Sequence, residues 1–279
     1  MTPLRGHDLT RPDGTLRYWT TGPATAPTLV LLHGATLDHR AWTPQIDALR
    51  DRYHLVLPDL RAHGASTGAF TFEAAVLDVL ALLDDLPAER TVLVGLSLGG
   101  NIAQEILRRD PDRVTALVAA DTTCNTAARH PYAAAAGIAA LHAHAMMAGP
   151  DFARQAARAT ALTPQARQYA LDANAHRPTR EIVHILASLL GSALRPEPAY
   201  RSPVPALLLH GDQDRIGDIA RGMRAWAQRE PLAEHAVVPD AGHASNLDNP
   251  EAFTALVTAF LDGLAHPSAP RRPVLADAA

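Results

Sequence analysis

The 279-residue chain is 47% hydrophobic, enough for one sizeable core with room for an inserted subdomain. Its net charge of −4 offers no surface suited to a polyanion, so nucleic acid is not an expected partner. All 25 basic residues are arginine, and the missing lysine excludes Schiff-base chemistry, pyridoxal phosphate anchoring and a Walker A phosphate loop.

In chain order, Arg11-Pro12-Asp13-Gly14 supplies hairpin turn chemistry, and Thr15 to Trp19 resumes an extended pattern. Residues 28–32 (TLVLL) form a continuous apolar run, as expected of a strand buried on both faces, ending at His33-Gly34. A helix follows, with Thr43 as N-cap and Pro44 at the first helical position. A strand over 54–57 ends at Pro58-Asp59. A helix is expected over 72–86, with the stripe Leu77, Leu80 and Leu83 assigned to the core. Strands over 92–96 and 114–120 enclose a helix over 101–109. Alternating short strands and helices predict an α/β fold, a mostly parallel sheet covered by helices on both faces.

The alternation breaks over 124–201, where only helical patterns occur, and this stretch is read as an inserted helical cap. The core is then 1–123 plus 202–265. It resumes with a strand over 206–209, a helix over 219–228, a strand over 234–238 and a last helix capped by Asn249 and Pro250. Residues 266–279, with three prolines and two arginines, are expected to be a disordered tail.

Ligands of open parallel sheets bind beyond the carboxyl ends of the strands. The residues expected there are His33-Gly34, Asp59, Ser97, Asp121, Asp214 and His243. Ser97 sits in Gly95-Leu96-Ser97-Leu98-Gly99, a G-x-S-x-G pattern between strand and helix. Such a turn exposes the hydroxyl at a helix N-terminus, where free N–H groups favour developing negative charge. A serine needs a base to become a nucleophile, and His243 follows the last strand on a glycine-containing loop. The base needs an acid to orient it. Asp214 is favoured, because Gly211-Asp212-Gln213-Asp214 can curl back toward a later loop, with Asp121 as the alternative. The amides of Leu98 and Ala35 are the expected oxyanion donors. His33 is expected to brace its loop through hydrogen bonds.

Those motifs, with Asp59-Leu60-Arg61-Ala62-His63-Gly64-Ala65-Ser66 between them, resemble the α/β-hydrolase fold superfamily in order and spacing over residues 10–265. The resemblance is to its capped, single-domain serine esterases and lactonases. It implies a carboxylic ester or lactone hydrolase working through an acyl-enzyme, with a small-molecule acyl substrate. It also implies that the segment from Asp59 to Ser66 is structural; the family usually carries glycine at the position of Ala62. Ser97 in place of aspartate argues against haloalkane dehalogenase and epoxide hydrolase chemistry, and the absent lysine against a hydroxynitrile lyase. Thioesterase, perhydrolase, C–C hydrolase, lyase and ligand-receptor uses of the same fold stay open.

Other residues receive simpler expectations. Neither a cofactor nor a metal is implied; His142 and His144, two residues apart, do not share a helix face. Met146 and Met147 are expected to line the underside of the cap, and Cys124 to be a small buried residue. One cysteine permits no internal disulfide, the first residues show no signal-peptide apolar segment, and no run is long enough to span a bilayer. A cytoplasmic protein without membrane contact is the expectation.

Overall fold

The expected strands lie side by side in one eight-stranded sheet in a computed structural model that describes residues 4–128, 130 and 132–265. They are β1 (Arg5–Arg11), β2 (Gly14–Thr21), β3 (Thr28–Leu32), β4 (His54–Pro58), β5 (Thr91–Leu96), β6 (Val114–Ala120), β7 (Ala206–Gly211) and β8 (Ala233–Val238). The spatial order is β1-β2-β4-β3-β5-β6-β7-β8. The Pro12-Asp13 turn makes β1 and β2 an antiparallel hairpin, and β2 runs antiparallel to β4. Every other neighbouring pair is parallel. Strands β3, β4, β5 and β7 are buried along their whole length, which explains their unbroken apolar sequences.

Successive strand residues point to opposite faces, and each face has its own helices. Val30, Leu32 and Leu93 pack against α2 (Phe72–Asp85), α3 (Leu98–Arg109) and α8 (Ile219–Arg229). Leu29, Leu31 and Val94 pack against α1 (Thr43–Leu49) and α10 (Pro250–Ala265). From β3 the chain steps to β4 on one side and then to β5 on the other. That reversal opens a crevice between the loops leaving β3 and β5, and Ser97 stands in it.

Between β6 and β7 the described residues form four α-helices, α4 (Ala133–Ala148), α5 (Phe152–Thr160), α6 (Pro164–Ala173) and α7 (Thr179–Ser192). Phe152, Ile182 and Val183 form a small core of their own, with Leu141, Ala145 and Leu186 against it. Among the described residues no helix is long and apolar enough to cross a membrane. The tail expected at 266–279 lies outside the described residues.

Several local expectations change. The leucine stripe of α2 is not core throughout, because Leu77 is 45% exposed. A three-residue step falls 60° short of a full turn, so Leu77, Leu80 and Leu83 walk around the helix. The buried face is Phe72, Ala75, Val76, Val79, Leu82 and Leu83. Met146 and Met147 are 84% and 81% exposed, because α4 turns Leu141, Ala145 and Ala148 inward instead. Thr43 is the first helical residue rather than the cap, since the 3-10 turn His39–Trp42 runs directly into α1. Helix α3 starts at Leu98, three residues earlier than expected, and a short helix α9 (Ser245–Asp248) precedes α10.

Candidate active site

The chain turns from β5 into α3 at Ser97 with φ 50° and ψ −114°, a left-handed conformation rare for a residue with a side chain. Its neighbours show why the turn needs glycine. A Cβ on Gly95 would lie 2.4 Å from the backbone of Gly99, and one on Gly99 would lie 2.1 Å from the Leu32 carbonyl oxygen. Helix α3 therefore packs against β3 with nothing between. The Ser97 N–H donates to the Ala120 carbonyl at 2.8 Å, and Thr122 Oγ1 donates to the Ser97 carbonyl at 2.8 Å. The strain is held from both sides.

The structure brings three of the expected residues into one hydrogen-bonded row. Ser97 Oγ lies 2.8 Å from His243 Nε2, and His243 Nδ1 lies 2.9 Å from Asp214 Oδ2. A carboxylate only accepts, so Nδ1 carries the proton and Nε2 is left to accept from the serine hydroxyl. The second Asp214 oxygen accepts the Ile216 N–H at 2.8 Å, and its side chain is fully buried. Burial by itself would lower the His243 pKa. The hydrogen bond and charge of Asp214, with a contribution from the charge of Asp121, outweigh it and hold the imidazole above its usual value.

Asp121, the alternative acid, is placed elsewhere. One of its oxygens accepts the Gly211 N–H at 2.8 Å, and the other accepts the Ser245 N–H at 3.2 Å and its hydroxyl at 2.5 Å. It ties the end of β7 to the start of α9, on either side of the loops that carry Asp214 and His243. Its complete burial pushes its carboxyl up to about 7.

Ala35 lines the cavity above Ser97, and Leu98 opens α3, where a helical N–H has no partner within the helix. The loop that carries Ala35 is braced as expected of His33. That ring donates from Nδ1 to the Gly34 carbonyl at 2.8 Å and accepts the Leu60 N–H at Nε2. His63 does the same one step further, donating to the Arg61 carbonyl and accepting the Thr36 N–H at 2.9 Å. Burial lowers the pKa of both rings, which suits neutral imidazoles with one donor and one acceptor each. Ala62, where the family usually has glycine, adopts φ 60°, the conformation that makes glycine the easier choice.

Two supports escaped the sequence reading. Asp248 accepts the N–H groups of Gly242 (2.9 Å), Leu162 (2.9 Å) and Thr163 (2.8 Å), so it clamps the His243 loop to the inserted helices. Asn174 donates to the Thr36 carbonyl at 2.9 Å and fastens the end of α6 to the other loop. The short-range signal for Asp248 was its place one turn into the helix after His243, a pattern too common to single out. Among the described residues, Asp38, His39 and Asp59 have ligand-type atoms within 4.8 Å of one another. Asp38 is spent on Arg40, while Asp59 holds His39 and the Ala65 N–H. Their bonds serve the loop.

Above Ser97 and His243 lies a cavity of about 400 Å³, roofed by α4, α5 and α7. A strained serine at a strand-to-helix turn, a histidine and a buried aspartate, in that chain order on a mostly parallel sheet, define a class of fold and site. Residues 29–256 match the alpha/beta hydrolase family, and the chain belongs to it. It is 28% identical to 3-oxoadipate enol-lactonase 2 of Acinetobacter baylyi, over 91% of this chain and 95% of that protein. It is 31% identical to the pimeloyl-[acyl-carrier protein] methyl ester esterase of Pectobacterium carotovorum, over 87% and 97%. The crystal structure of the enol-lactonase from Burkholderia xenovorans LB400 superposes with a TM-score of 0.78 at 26% identity, covering 92% of this chain and all of that one.

Proposed function

We propose that this protein is a serine hydrolase that cleaves a carboxylic ester or lactone through an acyl-enzyme. The observation that carries the reading is the unbroken row from Ser97 Oγ through His243 to Asp214, with both links at hydrogen-bond length. Membership of a family whose relatives include an enol-lactonase and a methyl ester esterase supports ester cleavage as the reaction type.

Ser97 attacks the ester carbonyl carbon while His243 Nε2 takes its proton. The carbonyl oxygen gains the negative charge and is held by the amides of Leu98 and Ala35, with the α3 N-terminus behind them. The imidazolium, steadied by Asp214, gives its proton to the departing alkoxide. The carbon–oxygen bond breaks, and the acyl group stays on Ser97. Water then attacks with His243 again as base, and the acid leaves with Ser97 restored. In a lactone the departing oxygen remains tethered, and the product is a single hydroxy acid. The helices between β6 and β7 act as a cap over this chemistry, shaping the acyl pocket and limiting water.

A fluorophosphonate probe tests the reading. It is expected to label the protein once, at Ser97, and to block hydrolysis of nitrophenyl butyrate. Unlabelled folded protein, or equal hydrolysis by Ser97→Ala, contradicts it.

A further inference from the structure

The cap side of the cavity is built from two helix faces. Helix α7 presents Ile182, Leu186, Leu189 and Leu190, spaced i, i+4, i+7 and i+8, so one apolar stripe looks down on Ser97. Helix α5 presents Phe152, Ala156 and Ala159 at the same spacing, and its two alanines leave the space that α7 does not fill. Ile216 and Ile219 close the wall beside the Asp214 loop.

Charge is distributed in one way only. Among the described residues no arginine lines this cavity, the chain has no lysine, and the carboxylate in the lining is Asp121. The polar groups Thr36, Thr122 and Thr123 come from loops at the sheet end and Asn101 from the first turn of α3, beside Ser97. The helices add Gln155, Thr160 and the His144 ring, which packs on Phe152. An anionic group carried up under α7 would lose its water and, among the described residues, meet neither arginine nor lysine there.

We propose that the site, read as the ester hydrolase above, takes a neutral ester whose apolar acyl chain lies beneath α7, and rejects esters bearing a carboxylate at the far end of that chain. This rests on the serine-hydrolase reading and adds the substrate class. The polar rim positions the reacting carbonyl, and the leucine stripe selects by length. The α5 alanines set how far the chain can reach.

The test is a set of nitrophenyl esters, from acetate through butyrate and hexanoate to octanoate, with the nitrophenyl monoester of suberic acid as the anionic match for octanoate. In the wild type, kcat/KM is expected to rise about fourfold per methylene until the cavity is full. The suberate monoester is expected to fall roughly 100-fold below octanoate. Leu186→Arg is expected to close that gap by at least about tenfold, and Ala156→Trp to move the preferred chain toward acetate. A flat length profile, or a suberate ester used as well as octanoate, overturns the proposal. The wild-type set decides this alone, however the variants fold. If instead no ester is hydrolysed, or Ser97→Ala hydrolyses all of them unchanged, the reading of Ser97 has failed rather than the substrate class.

Discussion

The sheet end that holds Ser97 and the helices that roof it are built by opposite rules. At the sheet end the loops are tied to one another by directional hydrogen bonds. Asp121, Asp248, His33 and His63 each fix two or more segments, and the glycines around Ser97 allow backbones to touch. The roof is held mainly by apolar contact. No α4 residue is fully buried, and the core beneath it comes from Phe152, Ile182 and Val183. Chemistry needs atoms held to fractions of an ångström, which takes directional bonds on rigid elements. Selecting an apolar chain needs only shape and dryness, which leucine and alanine supply.

The contrast can be broken most severely at Asp214. Asp214→Asn keeps the shape but offers Nδ1 a group able to donate as well as accept, so the imidazole loses its preferred tautomer. A fall of roughly 10⁴-fold in kcat is expected, with little change in melting temperature. The pH profile sharpens the point. His243 must be neutral to accept the Ser97 proton, so activity rises with pH through its raised pKa and then levels. Without the Asp214 carboxylate that support is gone, and the residual activity should rise at lower pH than in the wild type. An unshifted profile would show that Asp214 does not set the charge of His243.

Asp121 tests whether the sheet end is held by its bonds. Asp121→Ala strips the partner from the Gly211 and Ser245 N–H groups in a fully buried place. A loss on the order of 3 kcal/mol in unfolding free energy is expected, measured by urea titration. The smallest effect belongs to the roof. Met146→Ser and Met147→Ser sit at exposed positions and should change stability by no more than about 0.5 kcal/mol. A large loss there would mean that α4 is held by contacts this structure does not show.

The same contrast explains what could be read from the chain. Motifs at the sheet end are legible because the physics there is local: a glycine is needed where Gly99 meets the Leu32 carbonyl, and the apolar run of β5 ends where the turn must begin. Ser97, His243 and Asp214 could be nominated from strand ends alone, and Asp214 is favoured over Asp121 because its turn can curl back toward a later loop. Helix α3 begins before residue 101 because Gly99 and Gly100 form the first turn of a helix pressed against β3. Helix faces are harder. Leu77 and Met146 are apolar residues on apolar helices, and which side turns inward depends on partners far away in sequence. The α7 stripe from Ile182 to Leu190 is visible as a pattern, but nothing in the chain says that it covers a cavity rather than a core.

The central claim is that Ser97 carries the acyl group. Rapid quenching of the protein with excess nitrophenyl butyrate, followed by intact-mass measurement and peptide mapping, tests it directly. The account predicts one butyryl group on the peptide containing Ser97, forming as the first nitrophenolate is released. Steady turnover with no adduct at any quench time, or an adduct on another residue, would contradict it.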